Sequence, residues 1–105
     1  VVATRRSLAA VRPSVHAAQG SIRELVDRAK SLAGGKDVYL DGGDLVRQAL
    51  DAGLVDEMCL TLVPVLLAKG IRLFDGLSSS SRLQFISHRT FGGGLVQVTA
   101  RTRPA

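Results

Sequence analysis

The sequence predicts an α/β domain in which a mainly parallel sheet is followed by a C-terminal antiparallel hairpin. Three observations lead there. Between residues 21 and 60 the apolar periodicity reads helix, strand, glycine turn, helix, strand, the alternation that builds parallel sheets. Leu83-Phe85-Ser87 and Leu95-Gln97-Thr99 alternate with period two on either side of Gly92-Gly93-Gly94, which reads as a hairpin. The composition, 46% hydrophobic and 22% charged over 105 residues, is that of one small globular domain. Folding would bury roughly 60–65% of the unfolded chain's surface.

Taken in order, Val1 to Ala3 is a short apolar run that ends in the loop Thr4-Arg5-Arg6-Ser7. Beyond Pro13, the stretch Ser14-Val15-His16-Ala17-Ala18 fits a short strand before Gly20. Ser21 and Glu24 form an S-x-x-E capping box, in which each side chain satisfies an orphan backbone N–H. Ile22, Leu25, Val26, Ala29 and Leu32 then recur at helical spacing, and Gly34-Gly35 supplies the stop. Val38-Tyr39-Leu40 is β-prone and runs into Gly42-Gly43. A second helix starts near Asp44, with Leu45, Val46, Ala49 and Leu50 as its inner stripe and Gly53 as its end. Met58 to Leu67 is nearly all apolar, as expected of a strand covered on both faces, with Pro64 at its end or at an irregularity.

Several function classes fall away. The lone Cys59 lies between Met58 and Leu60 and is expected to be a buried, inert thiol. One cysteine and two distant histidines make neither a disulfide framework nor a zinc site, which suits a reducing, cytoplasmic setting. No apolar run approaches the ~18–20 residues of a membrane helix. The net charge of +5 is spread along the chain without interleaved aromatics to stack bases, so no nucleic-acid partner is expected. His16 and His88 have no nucleophile at a recognisable spacing, and Ser78 to Ser81 is a loop without a nucleophile elbow. Asp56-Glu57 is explained by surface ion pairing.

Two features admit phosphate chemistry. Asp41-Gly42-Gly43-Asp44-Leu45 carries a β-prone run straight into a helix. Bare backbone N–H groups at a helix start would admit a pyrophosphate, and the helix dipole favours its charge. The same pattern also makes an ordinary tight strand-to-helix turn. Thr4-Arg5-Arg6-Ser7 offers two guanidinium groups and two hydroxyls that could grip a phosphate, or that form a solvated basic turn. Gly34-Gly35-Lys36 lacks the upstream glycine of a P-loop.

The order and spacing of Asp37-Val38-Tyr39-Leu40-Asp41-Gly42-Gly43, of Ala52-Gly53-Leu54-Val55-Asp56-Glu57, of Val63-Pro64-Val65-Leu66-Leu67 and of Leu73-Phe74 resemble the C-terminal part of the dihydrofolate-reductase-like family that includes the riboflavin-pathway pyrimidine reductases. Residues 1 to 35 match more loosely. The resemblance implies the three-layer fold of that family and an NADPH-dependent reductase acting on a pterin, a riboflavin-precursor pyrimidine or a related small molecule. It implies that Asp41, Gly42, Gly43, Asp44 and Leu45 lie along the NADPH pyrophosphate, and that Thr4, Arg5, Arg6 and Ser7 hold the adenosine 2′-phosphate. No catalytic residue is assigned.

Two departures stand out. Asp44 occupies a position where a neutral or basic residue is more usual; it can cap the helix, but it would repel a pyrophosphate. Ala68 replaces a glycine common after the double leucine. Residues 1–105 thus read as the C-terminal portion of one reductase domain whose N-terminal part is missing, with the Val1-Val2 pair resembling an interior strand cut open. Exposed sheet edges would then require a homodimer or packing against the missing segment. The rival reading is a non-enzymatic half-domain that binds a nucleotide or self-associates.

Overall fold

The computed structural model of the protein describes residues 1–6 and 12–104. The chain divides into two units, residues 1–54 and 55–105.

The first unit contains two very short strands, β1 (Val2–Ala3) and β2 (Ala17–Ala18), and two helices, α1 (Ile22–Ala33) and α2 (Gly43–Asp51). β1 and β2 pair in parallel, Val2 with Ala17 and Ala3 with Ala18. The strand expected over residues 14–18 is confined to these last two. α1 begins where the sequence places it. The Ser21 hydroxyl accepts from the Glu24 N–H at 3.2 Å, and the Glu24 carboxylate accepts from the Ser21 N–H at 3.2 Å. Gly34 ends the helix in the left-handed conformation. α2 closes on a Schellman turn: Gly53 N–H donates to Leu50 O, and Leu54 N–H donates to Ala49 O. Gly53 has φ +68, which a side chain would disfavour. The Arg23 guanidinium also donates to the Ala52 carbonyl at 3.4 Å, tying α1 to the end of α2. Among the described residues, Val26, Ala49 and Leu50 are the buried apolar side chains of this unit.

Val38-Tyr39-Leu40, expected as a strand, carries no ladder among the described residues. A strand exists only through a partner, and β-propensity does not supply one. Tyr39 is accordingly 88% exposed.

The second unit is a three-stranded antiparallel sheet of β3 (Glu57–Leu62), β4 (Ser81–Thr90) and β5 (Val96–Pro104), in the order β3-β5-β4. The hairpin expected around Gly92-Gly93-Gly94 joins β4 to β5, with Phe91 N–H donating to Leu95 O at 2.9 Å. Ile86 is the extra residue of a bulge between the pairs Phe85–Ala100 and Ser87–Thr99. Both pairing types that the sequence predicts are thus present, the parallel one limited to β1 and β2.

Two expectations need correction. β3 stops at Leu62 rather than Leu67. Pro64 has no N–H for a ladder, and Val65 N–H turns back to Val63 O at 2.7 Å, a three-residue turn centred on the proline. Cys59 is exposed, not buried. It shares a sheet face with Glu57 and Thr61, whereas Met58 and Leu60 point to the other side and are half-buried. The cross-strand pairs Glu57–Arg101, Cys59–Thr99 and Thr61–Gln97 make this a polar face. The opposite face is apolar, and Ala100 at its centre is fully buried.

Candidate functional site

The strongest candidate is the start of α2. Gly42 is its N-cap with φ +100 and ψ 117, a conformation that L side chains rarely adopt. No side chain caps the helix, so the first-turn amides of Gly43, Asp44 and Leu45 have no side-chain acceptor. The fourth polar group of the turn is spoken for. The Asp41 carboxylate accepts from the Gly42 N–H at 2.8 Å, which fixes the loop and withdraws that amide from any ligand. A Cβ on Gly42 would meet only the Leu45 side chain, at 4.0 Å, so the space in front of the turn is open.

Asp44 does not cap the helix as its sequence position allows. It is the second residue of α2, and its carboxylate accepts from Gln48 Nε2 at 3.0 Å, one turn further on. This bond draws the negative charge along the helix flank, which lessens the conflict between Asp44 and an anion at the turn. Sequence reasoning missed Arg47. Its Nη1 lies 3.3 Å from where a Cβ on Gly43 would stand, so a guanidinium sits beside the first turn. The i,i+4 spacing from Gly43 was the available signal.

The basic loop follows β1. Thr4 N–H donates to Ala18 O at 2.8 Å, extending the β1–β2 pairing by one bond. The Thr4 hydroxyl accepts from the Arg6 N–H at 3.0 Å, which bends the chain just past the strand. Arg5 and Arg6 are exposed. Ser7, the fourth residue of the expected phosphate loop, lies outside the described residues.

A cleft of about 460 Å³ runs along α1 within the first unit. Ala3 at the end of β1, Leu25 and Leu32 of α1, Tyr39, and Leu45 of α2 line it. Of the described residues expected at the cofactor, Leu45 alone lines the cleft; Thr4, Arg5, Arg6 and Asp41 to Asp44 lie outside its wall. The wall is mainly aliphatic, with His16, Asp37 and Tyr39 among its polar members.

Among the described residues no group of three His, Cys, Asp or Glu side chains could hold a metal ion, and no helix is long and apolar enough to cross a membrane. An uncapped helix start opened by glycine supplies N–H donors and a partial positive charge, the chemistry that a pyrophosphate requires.

Comparison with known proteins agrees with the residue pattern. The family model of the RibD C-terminal domain matches residues 2–97. Two uncharacterized proteins of Bacillus subtilis (strain 168) are similar. YyaP is 40% identical over 65 residues, which is 61% of this chain and 35% of YyaP. YwjB is 32% identical over 59 residues, 55% of this chain and 34% of YwjB. The match thus spans about a third of each relative. The crystal structure of a putative riboflavin biosynthesis protein from Shewanella sp. PV-4 superposes with a TM-score of 0.81 at 25% identity, covering 96% of this chain and 58% of that one. A pyrimidine reductase-like protein from Corynebacterium diphtheriae shares the fold, with a TM-score of 0.72 at 23% identity over 86% of this chain and 39% of that one. The chain belongs to the RibD C-terminal domain family and has its dihydrofolate-reductase-like α/β fold.

Proposed function

We propose that the chain supplies the cofactor half of an NADPH-dependent reductase that acts on a small heterocycle, a riboflavin-precursor pyrimidine or a pterin. The observation that carries this reading is the uncapped start of α2 behind Gly42, in a chain of the RibD C-terminal domain family. The first-turn amides of Gly43, Asp44 and Leu45 would hold the pyrophosphate. Arg5 and Arg6, with Thr4 and Ser7, would take the 2′-phosphate through paired N–H donors. Bound there, NADPH would supply a hydride from its nicotinamide ring, and the protein's part is to align it.

The match covers about a third of each curated relative, and in this reading the substrate pocket would be completed by residues outside this chain, from an N-terminal portion or a second copy. Leu62 and Phe85, on the apolar sheet face and 57% and 69% exposed, are surface that such a partner would cover. The cytoplasm, where NADPH and reduced thiols coexist, is the setting that goes with this reading.

Calorimetric titration of the 105-residue chain with NADPH and NADH tests it. Binding with preference for NADPH is expected. Replacing Arg5 and Arg6 together by Ala should weaken NADPH by about tenfold or more and leave NADH nearly unchanged. Equal losses for the two cofactors would remove the 2′-phosphate role, and a folded chain that binds neither would sink the proposal.

A further inference from the structure

The polar face of the second unit carries a charge pattern that the cofactor reading does not use. Register places Arg82 of β4 directly opposite Arg103 of β5, and Arg101 lies two residues before Arg103 on the same face. Directly opposed side chains have Cβ atoms ~4.5–5.5 Å apart, and like charges in that position are destabilising. Glu57 is the one carboxylate that the strands contribute to this face, and its Oε2 lies 3.8 Å from Arg101 Nε. Arg103 is held by a neutral group instead. Gln84 Oε1 accepts from its Nε at 3.3 Å and from its Nη2 at 2.9 Å. That bond fixes the guanidinium plane without cancelling the charge. A merely solvated face gains nothing from opposing two arginines and orienting one of them with an amide.

We propose that Arg82, Arg101 and Arg103 form a binding site for a small oligophosphate anion. These three guanidinium groups against one carboxylate leave two uncompensated charges, the complement of an anion with at least two, and Arg89, opposite Gln97 near the hairpin end, adds a fourth guanidinium to the face. Guanidinium forks match phosphoryl oxygens bidentately, and the spread over two strands suits linked phosphoryl groups better than one. The stretch around these three arginines lacks what a nucleic acid would need; the Phe91 ring, 5.0 Å from the Arg89 guanidinium, stands at the opposite, hairpin end of the strands. Phe85, the aromatic residue within β4, projects to the opposite face with Ala100, so no ring stands among these arginines for a base to stack on. The site belongs to the second unit, and the glycine turn belongs to the first.

The test is calorimetry of the full chain with sodium tripolyphosphate at low ionic strength. Saturable binding of one anion is expected, weakened about tenfold by Arg82→Gln and again by Arg103→Gln. Arg28→Gln, an equal charge change at an exposed position of α1, should leave it unaltered. Without anion, Arg82→Gln should raise the melting temperature, because it relieves the Arg82–Arg103 opposition. The proposal fails if no saturation is seen, or if Arg28→Gln weakens binding as much as Arg82→Gln. It also fails if Gly43→Ala rather than Arg82→Gln abolishes binding, which would move the anion to the glycine turn. Tighter binding of a single-stranded oligonucleotide than of tripolyphosphate would overturn the choice of ligand.

Discussion

Gly42 and Gly43 stand side by side, yet their replacement by alanine should produce opposite phenotypes. At Gly42 the obstacle is the backbone, since φ +100 is held against a side chain whatever room surrounds it. Backbone strain of that kind costs of order 1–3 kcal/mol. With ~4–8 °C per kcal/mol for a domain of this size, Gly42→Ala should lower the melting temperature by roughly 10 °C. At Gly43 the backbone is ordinary, and a Cβ would press only on the far end of Arg47, at 3.3 Å from Nη1. That end can swing aside. Replacing a helical glycine by alanine at a compatible site gains ~0.4–1 kcal/mol from the unfolded state, so Gly43→Ala should melt within about 3 °C of the parent or above it. The new methyl group stands over the first-turn amides, however. Losing one charge-assisted hydrogen bond to the pyrophosphate costs ~1.5–3 kcal/mol, or about ten- to a hundredfold in NADPH affinity. Differential scanning fluorimetry and calorimetric titration on the same samples separate the two effects. A Gly43→Ala protein that is stable and binds NADPH as tightly as the parent would refute the close-approach argument.

Two further perturbations probe the scaffold. A Cβ on Gly20 would lie 2.2 Å from Glu24 Oε2, at a backbone φ of +143, so Gly20→Ala must expel the carboxylate that completes the capping box. Urea denaturation should show a loss of ~2–3 kcal/mol, from strain plus half of the box. The double variant with Glu24→Ala should lose about 1 kcal/mol less than the two single losses added together; strict additivity would mean the clash is absent. Thr102 donates from its N–H to Asp56 O at 3.1 Å and from its hydroxyl to Val55 O. Thr102→Val should therefore cost ~1–2 kcal/mol, and Thr102→Ser markedly less. A Thr102→Val loss no larger than that of Thr102→Ser would refute a dominant role for the hydroxyl bond.

Local signals explain why some elements were legible and others were not. The capping box of α1, the glycine stop at Gly34, the Schellman end at Gly53 and the Gly92-Gly93-Gly94 hairpin are each fixed within a few residues. The glycine turn was legible as a position, but its chemistry was not. That Asp41 consumes the Gly42 amide and that Asp44 turns toward Gln48 are rotamer choices, and no spacing encodes them. Val38-Tyr39-Leu40 shows the reverse failure, because its β-propensity is plain and a ladder depends on residues far away in sequence. Cys59 was misjudged for a related reason. A continuous apolar run suggests burial on both faces, whereas period-two alternation sends Cys59 to the face of Thr99 and Arg101. Arg82, Arg101 and Arg103 are scattered in sequence, and only the antiparallel register brings them together.

The strand order β3-β5-β4 also governs how the chain is made. Among the described residues β3 pairs with β5 alone, and β5 follows β4 in the chain. At ~5–20 residues per second, the roughly forty residues between Leu62 and Pro104 take about 2–8 s to follow β3 off the ribosome. Through that interval Met58, Leu60 and Leu62 have no strand to pair with, and the apolar stretch from Val63 to Leu67 trails behind them. α1 and α2 precede β3 in the chain. The nascent chain therefore spends those seconds with an apolar strand waiting for its partner, the interval in which a holding chaperone would be of most use.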